Sequence, residues 1–517
     1  MLVWLKKHYF PLLLGSYFIY LILLIYRTSF VIDGVRYFSL VDDMMISMKY
    51  AKELSLGHGL VWNIGDRVEG FTNPLWTIYM ALVHLLPIAA SKISLVIQLT
   101  NVLFLLLNLV VIKKIAGLLS NKSFFVVFFS LLLTVSYYPL NNYGVLGIEV
   151  TVLTLLTNIA ALLVIRQFKT KKFSNRVFLI LGIATLVRID TVVLFGSATL
   201  FIYFFDKKNR EKILKSGLSH FILFVGIQTG IRYLYYHELF PNTYYLKMTG
   251  YPIFFRMTRG AYSLLKFVWD TGIFLFVIPL TLLPKVKKEV LFIFWIILFQ
   301  ILYTIYTGGD VFYYFGRYVM VTVPLFFVLF SLSSERIVQG IVQGLNAKKY
   351  VFSFSLVFIL VAISMFNFVD KDMFLESLLL KHPQSTGGIK QNVELAKAID
   401  TATYKGAKVA VIWAGITPYF SDRYFYDMLG KSDKVVAREK ARSPHELLEV
   451  NPLIRFVPGH LKYDYEYSIK ALKPDVVTNL YFEKEQIVPY MEKYYELKNI
   501  DGVNLYLKKN SKFVKKI

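Results

Sequence analysis

The sequence has no cysteine, few charged residues and no recognisable cofactor motif, and each of these absences argues against a class of protein or a kind of site. Without cysteine the chain can form neither disulfides nor thiolate metal sites, although this does not fix its compartment. Only 18% of its 517 residues are charged, whereas a soluble protein carries about 25%. No Gly-rich phosphate loop, no metal-ligand histidine spacing and no Ser-His-Asp arrangement stands out. The low charge therefore points away from a soluble protein.

Apolar residues are abundant instead. The chain is 56% hydrophobic, with a mean hydropathy of +0.52. About a dozen apolar runs of roughly 15 to 23 residues recur, which is typical of a polytopic membrane protein. No small-residue cleavage site follows the first run, residues 9–26, so we interpret it as a retained span and not as a signal peptide. The predicted fold class is an α-helical membrane protein with about 11 transmembrane helices.

The net charge of +24 fits membrane topology, and we expect no nucleic acid partner. Lys6 and Lys7 precede the first span and place the N-terminus inside. Four densely basic loops are predicted to be cytoplasmic: residues 166–176, 206–215, 284–289 and 335–349. Alternation then places the first loop, residues 27–73, and everything after Asp370 outside. The predicted location is the bacterial inner membrane, with the first loop and C-terminal domain on the periplasmic side.

One stretch does not fit this alternation. The second span is assigned to residues 74–90. Three apolar runs, 94–112, 124–139 and 147–165, then occur where alternation needs two or four crossings. A short or half-depth helix within 124–165 would resolve this, since broken helices are tolerated where they line a cavity.

The composition changes after Asp370, where charged residues become frequent and apolar runs shorten. We therefore divide the chain into a membrane domain, 1–369, and an extracytoplasmic soluble α/β domain, 370–517. Strand-like and helix-like patterns alternate in the second domain. The predicted strands are 408–413 and 475–477, and the predicted helices are 394–399, 444–450 and 485–495.

The first loop carries an acidic pair, Asp42-Asp43, at the start of a helical pattern that continues to Glu53. Adjacent carboxylates repel one another, so keeping both charged requires a cation, an Arg or Lys, or a shared substrate proton. The loop as a whole holds six carboxylates (Asp33, Asp42, Asp43, Glu53, Asp66 and Glu69) and five basic residues (Arg27, Arg36, Lys49, Lys52 and Arg67). The helix is expected to lie along the membrane interface.

Other polar residues recur at the ends of predicted spans, where ionisable groups indicate function by default. Each also has a structural alternative. Glu149 suits a helix cap, Arg188 with Asp190 a packed ion pair, and Asn242 a turn after Pro241. His58 suits a turn between two glycines, and the aromatic run 312–315 suits an interface belt.

A membrane body that presents carboxylates and cations at its outer face has no nucleotide available there. We therefore hypothesise an enzyme whose activated sugar is delivered on a polyprenyl phosphate, with the phosphate held by Arg or Lys. A carboxylate would accept the proton of the attacking hydroxyl. The acceptor would be an envelope polysaccharide or glycolipid.

Several sequence pieces occur in an order that resembles a known family. The pieces are Asp42-Asp43, Lys49-Tyr50-Ala51, residues 57–61, 65–70 and 71–76, Gly147-Ile148-Glu149, Arg188-Ile189-Asp190, residues 240–245 with Lys247, Gly308-Gly309-Asp310 with Arg317, residues 426–430 with Asp433, Gly459-His460 and Lys473-Pro474-Asp475. Together they resemble the GT-C glycosyltransferases, and among these the terminal arabinofuranosyltransferases and their uncharacterised bacterial relatives. The pieces span nearly the whole chain.

The resemblance implies a GT-C fold and an inverting transfer from a polyprenyl-phosphate sugar, with Asp42 or Asp43 as general base. By the same resemblance, phosphate binding falls to Arg67, Arg188, Lys247 and Arg317, and substrate binding to His58, Glu69, Glu149, Asp190, Asn242, Tyr244, Asp310 and His460. Met44-Met45, Lys49 and Ile189 depart from the family pattern, which puts the identity of the sugar in doubt more than the reaction.

Two questions stay open at this stage. Asp42 and Asp43, together with Glu149 and Asp310, offer oxygens to a divalent cation such as Mg²⁺, Mn²⁺ or Ca²⁺, and only some GT-C enzymes use one. The alternative function is a transporter or flippase of lipid-linked sugars. That alternative predicts repeated halves and charges at mid-membrane depth, neither of which is evident.

Overall fold

The computed structural model describes residues 2–284, 286–309, 316–341, 371–443 and 457–516. Most of these residues are helical. The α-helices, in chain order, are α1 (Leu2–Thr28), α2 (Asp42–Ser55), α3 (Pro74–His84), α4 (Ala90–Leu119), α5 (Phe124–Ser136), α6 (Tyr138–Val145), α7 (Val150–Thr170), α8 (Arg176–Val187), α9 (Val192–Phe205), α10 (Arg210–Phe221), α11 (Ile227–Tyr236), α12 (Asn242–Met248), α13 (Ile253–Thr271), α14 (Ile273–Val277), α15 (Lys288–Thr307), α16 (Arg317–Met320), α17 (Val323–Ile341), α18 (Lys371–Ser377), α19 (Ser385–Ala402), α20 (Ile416–Phe420), α21 (Lys434–Arg438) and α22 (Val488–Tyr494). The strands are β1 (Phe30–Ile32), β2 (Val35–Tyr37), β3 (Lys408–Val411), β4 (Tyr424–Asp427), β5 (Val476–Val477), β6 (Tyr495–Ile500) and β7 (Val503–Lys508).

Helices long and apolar enough to cross a membrane are present, as the hydropathy predicts. Within the described residues there are 4 of them, or up to 7 if each bent pair of helices counts as one span. One bent pair is α5 with α6, which meet at 53° around Tyr137. This break lies in the stretch 124–165, where a short helix is predicted. The predicted total of about 11 helices stays a prediction.

The second predicted span, residues 74–90, is wrong. Its helix, α3, has only 11 residues and ends at His84. At about 1.5 Å per residue it extends roughly 17 Å, well short of the roughly 30 Å hydrocarbon core. The next helix, α4, begins at Ala90 and has 30 residues, so the apolar run at 74–90 marks a short helix followed by a turn.

The chain folds into two compact units, each built from three separated segments. The first, here called the helical unit, comprises Met1–Arg27, Gln98–Gln228 and Gly260–Pro383. The second, the mixed unit, comprises Thr28–Ile97, Thr229–Arg259 and Gln384–Ile517. Compactness thus groups the first loop with the C-terminal segment. The division that the sequence predicts at residue 370 separates a membrane domain from an extracytoplasmic domain. It is a different kind of division from the two compact units, and it stays a prediction.

The mixed unit contains a five-stranded sheet with the order β4-β3-β5-β7-β6. Strands β4, β3 and β5 are parallel, and β7 pairs antiparallel with both β5 and β6. The predicted strands at 408–413 and 475–477 are present, as are the helices predicted around 394–399 and 485–495. Strands β4, β6 and β7 were not predicted, and the helix predicted at 444–450 lies outside the described residues.

One apolar cluster explains why the first loop belongs to this unit. Ile46 and Tyr50 of α2 and Trp62 and Phe71 of the following loop are buried together with residues of α19 and of the sheet. Tyr50 is completely shielded from solvent. Burying a side chain of this size stabilises the folded state by about 1.5–3 kcal/mol. The loop is therefore part of a folded core with the C-terminal sheet.

Candidate functional site

The acidic pair occupies the first turn of α2, where the helix dipole favours negative charge. The Asp42 carboxylate Oδ1 accepts hydrogen bonds from the backbone N–H groups of Gly415 (3.2 Å) and Ile416 (2.9 Å), just after β3. A Cβ on Gly415 would lie 1.9 Å from the Asp42 carbonyl oxygen. Only glycine allows the 415–416 turn to approach α2 this closely.

Asp43 pairs with a lysine that the sequence reasoning missed. Lys431 Nζ donates to Asp43 Oδ1 at 2.6 Å; the Lys431 side chain is 9% exposed and that of Asp43 is 37% exposed. The predicted need for a cation beside the acidic pair is thus met by a lysine. Lys431 lies inside the resemblance, between residues 426–430 and Asp433, so the charge argument applied to that gap could have found it.

The loop that carries Lys431 is rigidly held. Buried Asp427 accepts backbone N–H bonds from Leu429, Gly430 and Ser432. The side-chain nitrogen of Asn242 lies within bonding distance of the Gly430, Lys431 and Asp433 carbonyls. Asn242 is therefore more than a turn residue, because it fixes the backbone on both sides of Lys431.

The two acids differ in their surroundings. Burial raises the pKa of Asp42; Lys431 and the N–H group of Ile416 oppose this rise, and Asp43 adds to it. Asp42 Oδ2 is buried and has no hydrogen-bond partner among the described residues. Asp43 keeps more than a third of its side chain exposed. Asp42 is thus the anchored acid and Asp43 the accessible one.

His460 and Lys247 border this charge cluster. Burial lowers the pKa of His460 to about 4, an effect that nearby Lys431 and Lys247 reinforce and Asp43 opposes. The imidazole is therefore neutral at pH 7. Its ring centroid lies 6.4 Å from that of Trp413. A Cβ on Gly459 would lie 3.1 Å from Cε of Lys247, so this lysine packs against the same loop.

Motif residues of the first loop stabilise this arrangement. Tyr50 OH donates to the Val68 carbonyl at 2.7 Å and accepts from the Gly70 N–H at 2.9 Å. A Cβ on Gly70 would lie 2.9 Å from the Lys431 carbonyl. Ser47 donates to Asn73 at 2.7 Å, which ties α2 to the start of α3. These residues position the acidic helix.

Four other predicted residues of the mixed unit have protein partners. Glu69 forms a buried ion pair with Arg232 at 2.5 Å. His58 Nδ1 lies 2.7 Å from Glu53 Oε2. His58 itself stands between two glycines with positive φ. The Arg67 guanidinium lies over Tyr235 at 4.8 Å, and Tyr244 stacks on Phe240 at 4.4 Å. Their assignment to substrate or phosphate binding stays a prediction.

The helical unit brings a second set of predicted residues together. Glu149, fully buried, accepts from Arg188 at 2.7 Å and from Arg317 at 3.0 Å. Arg188 also pairs with Asp190 at 2.8 Å, and Tyr303 OH donates to Asp190 at 3.0 Å. The ion-pair alternative for Arg188 and Asp190 is thus observed. Glu149 stands at the N-cap position of α7 but makes no capping bond with its side chain.

A narrow cleft of about 20 Å³ opens beside these groups, and Arg188, Asp190, Tyr303 and Arg317 line it. Two guanidinium groups and one carboxylate therefore line a cavity that is otherwise mainly apolar. Asp310, which the resemblance places near Arg317, lies outside the described residues, as does the aromatic run 312–315.

No group of three or more carboxylate or histidine side chains that could hold a metal ion occurs in the described part of the chain. The oxygen best suited to a cation is the buried Asp42 Oδ2, which lacks a donor. Asp43 could supply a second oxygen.

The chain has the GT-C fold, which it shares with two solved structures. ArnT from Cupriavidus metallidurans bound to undecaprenyl phosphate is similar to it with a TM-score of 0.59 and 10% identity, over 97% of this chain and 98% of that chain. The Archaeoglobus fulgidus oligosaccharyltransferase, tethered with an acceptor peptide containing the NVT sequon, is similar with a TM-score of 0.56 and 10% identity, over 98% of this chain and 75% of that chain.

Identity this low shows the shared fold alone. Residues 384–510 match a family model described as a domain of unknown function, DUF8728. No curated protein matches the sequence significantly. The structural similarity confirms the expected GT-C fold, whereas the arabinofuranosyl and bacterial features of the resemblance stay predictions.

Proposed function

We propose that this protein is a membrane glycosyltransferase that moves a sugar from a polyprenyl-phosphate donor to the hydroxyl of a glycan acceptor. The observation that carries the proposal is the Asp43 carboxylate, accessible yet held 2.6 Å from Lys431 beside a second acid. The GT-C fold supports it, as does the structure of ArnT bound to undecaprenyl phosphate, a lipid phosphate of the required class.

In the proposed mechanism Asp43 is the general base. Its exposed carboxylate can reach an acceptor hydroxyl, whereas the Asp42 Oδ2 atom is shielded from solvent. The acceptor oxygen attacks the anomeric carbon, its proton passes to Asp43, and the polyprenyl phosphate leaves. This single displacement inverts the anomeric configuration. Lys431 holds the Asp43 carboxylate through their ion pair, and Asp42 positions the 415–416 turn through its two accepted hydrogen bonds.

Phosphate binding requires a cation that is close to the leaving group. Lys247 lies on α12 of the mixed unit and packs against the loop that carries His460, so we assign it to the donor phosphate. Arg188 and Arg317 offer guanidinium groups along their own cleft, where a phosphate would exchange with Glu149 or Asp190. We infer that the first loop and residues 384–517 face the periplasm, where the lipid-linked donor is accessible.

The test is transfer by the full chain in lipid nanodiscs. Polyprenyl-phosphate pentoses and hexoses, including arabinofuranose, are offered with envelope polysaccharides and glycolipids, and product is detected by mass spectrometry. Asp43→Asn should reduce transfer by about 10²–10⁴-fold, the usual contribution of a general base. Asp33→Asn is the matched control, because Asp33 is a first-loop carboxylate with a side chain 75% exposed.

Unchanged transfer by Asp43→Asn, with loss in Asp42→Asn, would reverse the two roles. Full activity in the double variant would refute a carboxylate base. Movement of the donor across the bilayer without any product would favour the transporter or flippase.

A divalent cation, if one takes part, would be held by Asp42 Oδ2 and the exposed carboxylate of Asp43. It would polarise the phosphate and assist departure of the lipid carrier. Transfer measured with and without a chelator decides this question.

A further inference from the structure

A second cleft, separate from the one in the helical unit, lies in the mixed unit at the carboxyl ends of β3 and β5. Its volume is about 560 Å³, and it is lined by residues 411–413, 478–479, 391–392 and 394–395 of α19, and 502–504 of the β6–β7 turn. Strand β3 connects to β4 on one side of the sheet, whereas β5 leads toward β6 on the other. Adjacent parallel strands whose connections diverge leave a crevice in which α/β proteins bind ligands.

The polar lining of this cleft consists mainly of side-chain amides. Gln391, Asn392, Asn479 and Asn504 supply four of them, and Glu394 adds a carboxylate. In the described chain, the side-chain nitrogens of Asn479 and Asn504 donate to no protein acceptor, although their oxygens are bonded. Amides both donate and accept, which suits a ligand rich in hydroxyl groups.

Trp413 supplies an apolar surface at the same place. It lines the cleft at the end of β3 and keeps 44% of its surface exposed, an unusual state for tryptophan. An exposed indole beside amides can stack against the C–H face of a pyranose or furanose ring. The side chain is therefore placed for recognition and not for core packing.

The charge of the lining excludes anionic ligands. Glu394 is the sole ionisable residue among those that line the cleft, and Lys390 Nζ lies 3.6 Å from it. Without a lining lysine or arginine, a phosphate or uronate would meet no counter-charge. A neutral saccharide fits the amides and the indole.

We propose that this cleft is a subsite for a neutral oligosaccharide, with Trp413 as its stacking platform. The same loop serves both sites, because the Trp413 ring lies 6.4 Å from that of His460 and the next two residues lead to the N–H groups that hold Asp42. A chain bound here would extend toward Asp43. This inference rests on the proposed function in one respect only: the bound saccharide is the acceptor.

The test measures saccharide binding to the full chain in nanodiscs without any donor. Linear hexaoses of arabinose, galactose, glucose and mannose are the probes, and Kd is obtained by saturation-transfer NMR. We expect at least one hexaose to bind. Trp413→Ala should weaken that binding about tenfold, Trp413→Phe less than Trp413→Ala, and Asn479→Ala about threefold. Tyr404→Ala, which removes an aromatic 54% exposed on the same unit, should leave Kd unchanged.

The proposal fails if none of the four hexaoses binds at millimolar concentration, or if Trp413→Ala binds like wild type. It also fails if Tyr404→Ala weakens binding as much as Trp413→Ala does. When transfer is assayed, Trp413→Ala should raise the acceptor KM with little change in kcat. Saccharide binding without transfer from any lipid donor would refute the proposed function and leave this site standing. Transfer with an acceptor KM that Trp413→Ala leaves unchanged would refute the role of the bound saccharide as acceptor and leave the proposed function standing.

Discussion

Two clusters of opposite charges differ in how they are completed. In the helical unit, Glu149 and Asp190 face Arg188 and Arg317, and Glu149 is fully buried between the two guanidinium groups. In the mixed unit, two adjacent acids face Lys431, and one carboxylate oxygen has no donor among the described residues. A matched, buried cluster favours rigidity, whereas an incompletely satisfied pair that remains accessible is suited to proton transfer.

The largest effect is expected from a substitution that breaks the matched cluster of the helical unit. Glu149→Gln should destabilise the protein by about 3–5 kcal/mol, because it leaves two buried guanidinium groups facing a single carboxylate. The loss is measured by thermal unfolding in nanodiscs. Asp43→Asn, whose side chain is partly exposed, should change stability by less than about 1 kcal/mol while abolishing transfer. Equal stability losses in both variants would contradict the contrast.

Removing the cation of the mixed unit should sharpen the comparison. Lys431→Met is expected to reduce transfer about a hundredfold, because Lys431 pairs with the proposed base Asp43 and lowers the pKa of Asp42. The acid limb of the rate–pH profile should move to higher pH, since Lys431 lowers the pKa of Asp42, whose carboxylate holds the 415–416 turn beside the base. Lys431→Arg should restore much of the activity. An unshifted profile in Lys431→Met would mean that the lysine acts only in folding.

The close approach of the 415–416 turn to α2 can be tested by a substitution that adds one methyl group to Gly415. Gly415→Ala should cost about 1–3 kcal/mol and reduce transfer, because its Cβ would overlap the Asp42 carbonyl oxygen. Gly387→Ala is the control, since nothing lies within 4 Å of the Cβ it would add to α19. That variant should stabilise the protein by about 0.4–1 kcal/mol. Similar melting temperatures for both variants would argue against the tight contact.

The smallest expected effect concerns pH. The folded-state pKa of His460, about 4, lies below its ordinary value of 6.5. As pH falls, His460 is therefore protonated first in the unfolded state. The free energy of unfolding is unaffected by this group above pH 6.5 and decreases as pH falls toward 4. His460→Gln should flatten the dependence of melting temperature on pH between 7 and 4. A slope equal to that of wild type would show that His460 is not the titrating group.

Local patterns predicted much of this molecule. The acidic pair at the start of α2 follows from helical spacing, and β3 and β5 follow from short apolar runs. Strand β6 was not predicted because its exposed edge carries alternating charge, and β4 was not predicted because it is short and aromatic. The run at 74–90 gave a wrong span because hydropathy alone cannot locate a helix end such as His84.

The sequence by itself determined the class of protein, through apolar run length, and the candidate base, through two neighbouring acids that need a cation. Only the tertiary structure decided which cation that is. Lys431 lies 388 positions from Asp43 along the chain, and nothing local relates the two residues. The tertiary structure also distinguished the shielded Oδ2 atom of Asp42 from the accessible carboxylate of Asp43, because this shielding depends on the tertiary packing around α2 and not on either residue's neighbours in sequence.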